Sequence, residues 1–202
     1  MENISSIKNI PLFSLEKASL KQFNRGPDDG QVYQVEGLAL GHRRLRIFDL
    51  TNRAAQPMVD RNLGLALVFN GAIYNFLELR KELEAKGYTF ASDSDTEVLL
   101  KAYHAWGKQC ISRLRGIFSF AIWEQNTGKL ILARDRLGIK PLYYNANHSH
   151  GFKFASTLPA LIEFEDIDTS IDKIALHFYL TFHAVPEPRT ILSGVKNYRQ
   201  VR

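Results

Sequence analysis

The residues best placed to do chemistry lie in one run, Leu67-Val68-Phe69-Asn70-Gly71-Ala72-Ile73-Tyr74-Asn75. An apolar strand enters Asn70-Gly71, and a helix is expected to start at Asn75. Asn-Gly tolerates positive φ, so the spacing predicts a sharp turn at that dipeptide. Such a turn presents a side-chain amide and a backbone N–H to one small volume. Two donors converging on one point are what an oxyanion hole needs to stabilise the charge that develops during acyl transfer. The same dipeptide also fits a plain hairpin turn between core strands, so other segments must decide.

Few other groups offer chemistry. The single cysteine, Cys110, falls on a helical stretch with Ile111 and Leu114 and reads as a small apolar core residue. One cysteine excludes an internal disulfide and fits a reducing compartment. The six histidines are scattered, none at a metal-ligand spacing from a carboxylate, and His148 and His150 flank a turn. No metal site is expected.

The elements that must position these groups follow from periodicity. A helix is expected over 12–23, with Leu12, Leu15, Ala18, Leu20 and Phe23 as its apolar positions, then a turn-rich loop at Arg25-Gly26-Pro27-Asp28-Asp29-Gly30. Residues 31–50 read as two or three strands with Val32, Val35, Leu38, Leu40, Leu45 and Ile47 in the core. The next helix, 76–86, has Asn75 as N-cap with Glu78 at the capping-box spacing, and Gly87 stops it. A short strand is expected over 88–91. Ser94-Asp95-Thr96-Glu97 is a second capping box, and Leu99, Ala102, Tyr103 and Trp106 follow at helical spacing. Hairpins are expected at 117–123/129–134, around Asn126-Thr127-Gly128, and at 142–145/152–155. Short helices follow at 158–164 and 174–182, and the chain turns Pro-rich from Val185. Strands in hairpin pairs argue for antiparallel sheets covered by helices, not a doubly wound parallel sheet.

Length and charge bound the rest. At 202 residues, 45% hydrophobic with 13 Phe, the chain suits one domain, or one with an extension. A net charge of +5 is mild, with 21 acidic residues interspersed. The densest basic cluster, His42-Arg43-Arg44-Leu45-Arg46, is half of a short strand, and a nucleic-acid binder would gather its basic residues in a stripe. Charged residues Glu2, Lys8, Glu16 and Lys17 break the first 20 positions, and no run approaches the roughly 18 apolar residues of a membrane span. A cytoplasmic protein with no nucleic-acid or membrane partner is expected.

Five segments then occur in a telling order: Arg25-Gly26-Pro27-Asp28-Asp29, Gly41-His42-Arg43-Arg44-Leu45, Asn70-Gly71-Ala72-Ile73-Tyr74-Asn75, Ser94-Asp95-Thr96-Glu97, and the run from Arg134 to Tyr144. Together they resemble the glutaminase domain of glutamine-dependent asparagine synthetases, a class II glutamine amidotransferase. The resemblance implies an α+β fold of the N-terminal-nucleophile hydrolase type, a four-layer α/β/β/α sandwich of antiparallel sheets. That domain would span 1–184, with 185–202 a linker towards an absent synthetase domain. The family hydrolyses glutamine to glutamate and ammonia, and its synthetase domain uses ATP and Mg²⁺ to activate aspartate. No cofactor is expected in this chain. By the resemblance, Arg44 grips the substrate α-carboxylate, for which a planar guanidinium suits both oxygens. Asp95 holds the α-amine, and Asn70 and Gly71 form the oxyanion hole. By itself Arg44 reads as a strand arginine, and Asp95 as a carboxylate favoured by a helix dipole. The Arg134 to Tyr144 run holds no nucleophile and reads as structural, lining the site or meeting a synthetase domain.

The sequence also departs from that family. Glu2 stands where the family has its nucleophilic cysteine, whose freed α-amine is the base. The first eight residues lack the apolar, glycine-containing first strand. Ala72 replaces the glutamate that helps hold the substrate amine, a loss of about 1.5–3 kcal/mol for a charge-assisted hydrogen bond. Asn24 replaces a histidine, and the Asp28-Asp29-Gly30 turn lacks a serine. No Gly-Gly pair of an ATP-pyrophosphate loop occurs. The expectation is a degenerate glutaminase domain with no hydrolysis of its own. The alternatives are an active amidotransferase whose start lies elsewhere, and a module that binds glutamine or a related amino acid or docks on a separate synthetase subunit.

Overall fold

Strands that alternate apolar side chains on both faces have to be covered on both faces, and β-rich segments of this chain do so. The computed structural model describes residues 12–47, 49–147 and 151–199. In chain order the elements are α1 (Leu12–Leu20), β1 (Asp29–Val35), β2 (Leu38–Arg44), β3 (Met58–Asp60), β4 (Leu65–Ile73), α2 (Phe76–Glu84), α3 (Asp95–Trp106), α4 (Cys110–Arg113), β5 (Gly116–Glu124), β6 (Lys129–Arg134), β7 (Tyr143–Asn147), β8 (Gly151–Ala155), α5 (Leu158–Leu161), α6 (Lys173–Phe182) and β9 (Lys196–Asn197). Strands run in the orders β3-β4-β5-β6, β1-β2 and β8-β7-β9, with every pair antiparallel among the described residues.

The period of two along β4 and β5 sets the layers. Leu65, Leu67 and Phe69, with Phe118, Phe120 and Ile122, pack on Leu79 and Leu83 of α2 and Val98, Leu99 and Ala102 of α3. Their neighbours Ala66, Val68, Ala121 and Trp123 face the other way, onto Leu38 and Leu40 of β2 and Phe154 of β8. Beyond that second strand layer, Ala18 of α1 and Ala160 and Leu161 of α5 form a third core. Helices, sheet, paired sheets and helices are thus stacked as the expected four layers. A one-residue slip of β4 would exchange Leu67 for Val68 and empty one core into the other, so the register is strongly specified.

Several local expectations change. Asn70-Gly71 is not a turn: β4 runs on to Ile73, with Asn70 opposite Ser119 and Gly71 opposite Phe118. The glycine serves a close approach, since a Cβ on Gly71 would sit 2.2 Å from the Ile117 carbonyl oxygen. Residues 88–91 are not a strand, because side chains satisfy their backbone: the Lys101 ammonium donates to the Thr89 carbonyl, and the Ala91 N–H donates to Glu97 at 3.0 Å. Asn75 is the N-cap residue of α2, but its side chain makes no capping bond; its amide instead bridges Arg113 and Arg115, donating at 3.0 Å and accepting at 2.9 Å. Ser94 does cap α3, accepting from the Glu97 N–H at 3.2 Å. Because β2 ends at Arg44, Leu45 and Ile47 are 53% and 67% exposed rather than in the core. On α1, Leu12 and Leu20 stand in solvent and Ala18 is the buried residue. In the segment read as a linker, Val195 is buried, β9 pairs with β7, and the Tyr198 N–H donates to Leu142 at 2.7 Å. Glu2, His148 and His150 lie outside the described residues.

Candidate functional site

A cavity of about 370 Å³ opens between β2 and β8, over the inner faces of β4 and β5 and beneath Leu15, Ala18 and Ser19 of α1. Arg44, Asn70, Gly71 and Asp95 all line it, although they come from three different elements. Alternation places them there. Asn70 follows Ala66 and Val68 on the inward face of β4, and Arg44 follows Leu38 and Leu40 on β2. Ala72 continues the Asn70 face and carries only a methyl group.

The loop after β2 fixes the arginine. Buried Arg44 donates to the Thr51 carbonyl at 2.8 Å and to the Asp49 carbonyl, so its guanidinium plane is set before any ligand arrives. Asp49 is locked in turn, accepting from the Thr51 N–H at 2.7 Å and the Asp93 N–H at 3.1 Å. Hydrogen bonds from Thr51 hold the Asp49 carboxyl below its usual range. The loop therefore ties β2 to the start of α3, where Asp95 sits.

The edge of β4 is the centre of the site. β3 pairs with β4 only as far as Leu67, which leaves that edge open from Phe69 onward. Phe69 donates its N–H there to Gln56 Oε1 at 2.7 Å, and Ile73 donates to Asp95 Oδ2 at 3.0 Å. Gly71 lies between them on the same edge, and no acceptor meets its N–H among the described residues. Asp95 is 4% exposed, and burial raises its carboxyl above the ordinary range against the pull of the Ile73 and Thr96 N–H groups. His42 also meets this edge: its Nε2–H donates to the Phe69 carbonyl at 3.2 Å. Desolvation lowers its pKa to about 4, so the ring is neutral at pH 7.

His42 and Gln56 went unread in the sequence. The histidine was visible as one end of a basic cluster and as part of the Gly41 to Leu45 segment, without a role of its own, and its inward orientation depends on the parity of β2. Gln56 lies in a loop, where composition carries no signal for a bond to a strand edge.

The Arg134 to Tyr144 run is structural in detail. Buried Asp135 accepts from Phe118, Leu137, Ile139 and Lys140 N–H groups at 3.0–3.3 Å. Burial alone would push its carboxyl up, but those N–H bonds outweigh it and hold it below the usual range. Arg134 donates to the carbonyls of Gly138 and Lys140 and to Glu187 at 2.6 Å, which anchors the chain after α6. From this run Lys140 and Leu142 reach the cavity lining. Cys110 lies in the helix-side core, across the sheet from the cavity, and burial pushes its thiol up to about 12. Among the described residues, no set of three or more His, Cys, Asp or Glu side chains is placed to hold a metal ion. No helix among them is long and apolar enough to cross a membrane.

Comparison with known proteins identifies the family. A sequence model of the glutamine amidotransferase domain matches residues 3–201. Asparagine synthetase [glutamine-hydrolyzing] 1 of Bacillus subtilis is 46% identical over 182 residues, covering 88% of this chain and 28% of the relative. A putative asparagine synthetase [glutamine-hydrolyzing] of Mycobacterium tuberculosis is 41% identical over 199 residues, covering 91% and 30%. The chain therefore spans less than a third of the length of these curated relatives. Among solved structures, the glutamine phosphoribosylpyrophosphate amidotransferase of B. subtilis superimposes with a TM-score of 0.52 at 24% identity, over 80% of this chain and 34% of that one. The allosteric regulatory enzyme of purine biosynthesis gives 0.51 at 29% identity, over 62% and 29%. These are N-terminal-nucleophile hydrolase folds, as the layered antiparallel sheets of this chain are. With a matching domain across nearly its whole length and asparagine synthetases as relatives, this chain belongs to the glutamine amidotransferase domain family.

Proposed function

We propose that this chain binds L-glutamine in the β2–β8 cavity and does not hydrolyse it. Arg44 takes the α-carboxylate, Asp95 the α-ammonium, and Asn70 with the Gly71 N–H the side-chain carbonyl. One observation carries the reading: four residues from three separate stretches of the sequence, of the types that an amino acid with an amide side chain needs, line one cavity. The absence of turnover is supported by chemistry. The one cysteine of the sequence faces the opposite core with a thiol pushed up to about 12. Ser119, the hydroxyl on β5 that lines the cavity, donates to the Pro141 carbonyl at 3.2 Å. The Ala72 methyl removes one charged partner of the ammonium, so affinity is expected to be weaker than with a carboxylate there.

Titration calorimetry with L-glutamine and a glutamate-release assay test both halves. Binding that is lost on Arg44→Ala, without glutamate release, is expected. No heat with glutamine sinks the binding reading. Release well above a buffer blank, abolished by Asn70→Ala, sinks the silent one and favours an active enzyme.

A second reading, docking on a synthetase polypeptide that would supply ATP and Mg²⁺ chemistry, is favoured by α6. Ile174, Tyr179, Leu180 and Phe182 are 51%, 51%, 69% and 66% exposed on that helix, an unusual apolar surface for solvent. Co-expression with a synthetase polypeptide is expected to give a complex that Leu180→Glu breaks; a complex indifferent to that change would refute α6 as its surface.

A further inference from the structure

The open edge of β4 holds a donor without an acceptor among the described residues, and His42, which meets the same edge and lines the same cavity, holds an acceptor without a donor among them. Amides 69, 71 and 73 alternate out to that edge by the pleat of the strand. Gln56 fills the first and Asp95 the third, while Gly71 N–H has no acceptor among the described residues. One residue pair away, the Phe69 carbonyl takes Nε2–H of His42. That bond sets the tautomer of a neutral imidazole: with the proton on Nε2, Nδ1 keeps a bare lone pair. Nδ1 is buried and finds no partner among the described residues, although His42 lines the cavity. A buried polar atom left in this state is costly unless a ligand completes it.

A primary carboxamide completes both. Its carbonyl oxygen accepts from Gly71 N–H, and its NH₂ group donates to Nδ1. A carboxylate offers acceptors only and would set a charged oxygen against the lone pair of Nδ1. We propose that His42 is the specificity-determining residue of this cavity, accepting an N–H of the side-chain carboxamide through Nδ1 and so selecting glutamine over glutamate. The inference rests on the glutamine reading above and adds the group that reads the amide. A site built to pair a ligand N–H rejects the analogue that lacks it, because its buried acceptor is then left unpaired.

Two substitutions separate the ring nitrogens. In His42→Gln the longer amide keeps a donor near the Nε2 position for the Phe69 carbonyl and removes the acceptor at Nδ1. In His42→Asn the shorter amide keeps a polar atom near Nδ1. Calorimetry of the whole chain with L-glutamine and L-glutamate is expected to show wild type preferring glutamine by about tenfold or more. His42→Gln loses about tenfold in glutamine affinity while glutamate changes little, and His42→Asn recovers part of the preference. In ¹⁵N-histidine-labelled wild type, the Nδ1 resonance moves to a hydrogen-bonded position with glutamine and not with glutamate. An unchanged glutamine preference in a folded His42→Gln overturns the inference, and so does an Nδ1 resonance indifferent to glutamine, which needs no variant. A wild type that binds no glutamine overturns the underlying reading instead.

Discussion

Acid should unfold this protein partly through one buried ring. His42 stays neutral down to about pH 4, whereas an exposed histidine takes a proton near 6.5. Burial is the largest cause; the Phe69 carbonyl and Asp29 oppose it, and Arg44 adds to it. Between those two pH values the unfolded chain binds a proton that the folded chain refuses. The folded pKa is depressed, so for this base stability is fully present above pH 6.5 and is lost as pH falls towards 4. At about 1.4 kcal/mol per pH unit, the loss across that window is about 3 kcal/mol. That is a large part of the roughly 5–15 kcal/mol that holds a domain folded. Urea unfolding followed by tryptophan fluorescence, from about pH 7.5 to about pH 4.5, measures it in wild type and His42→Gln. The variant keeps a neutral donor to Phe69 and cannot take up the proton. Asp49 and Asp135, held below the usual carboxylate range, lose their contributions in both proteins and cancel in the difference. The two stability curves are expected to converge by about 3 kcal/mol as the pH falls. Parallel curves would refute a buried, unprotonated imidazole.

Other consequences are independent of His42. Gly71→Ala brings a Cβ within 2.2 Å of the Ile117 oxygen and 2.7 Å of Phe118 Cα, both backbone, so β4 and β5 must separate. A loss of more than about 3 kcal/mol is expected by thermal denaturation, and a variant as stable as wild type would show that the strands are not so close. Cys110, with its thiol raised from 9.0 to about 12, should react with an aromatic disulfide reagent at least about 1000-fold more slowly in the native state than in urea. Equal rates would place it at the surface. Arg134→Ala removes the buried guanidinium's bonds to Glu187 and to the Tyr198 carbonyl, at 2.6 and 2.9 Å. A loss of about 1–3 kcal/mol is expected, with faster proteolysis within 185–199; an unchanged digestion pattern would deny that role.

The antiparallel hairpins and the helices that cover them were legible because they rest on local periodicity, whereas the four layers followed from the family resemblance. The hairpin 117–123/129–134 and the helix after Ser94 are written in alternation and a cap, each a short-range effect. Asn70-Gly71 was misread as a turn for an equally physical reason. The dipeptide is compatible with a turn and also with close strand packing, and only the partner strand, some 45 residues on, decides which. Residues 88–91 looked like a strand, but their backbone partners are side chains of α3. Leu45 and Ile47 look apolar enough for a core that β2 does not extend far enough to reach.

The identity of the site residues came from the order of motifs along the chain, and their types alone already suited an amino-acid ligand. Tertiary structure decided that Arg44, Asn70, Gly71 and Asp95 share one cavity, that Cys110 lies across the sheet from it, and that His42 faces inward with one ring nitrogen unpartnered among the described residues. Those are matters of strand parity and of contacts between distant segments. A linear sequence constrains conformation only over a turn or a pleat, whereas the faces that meet are chosen by burying every apolar stripe at once.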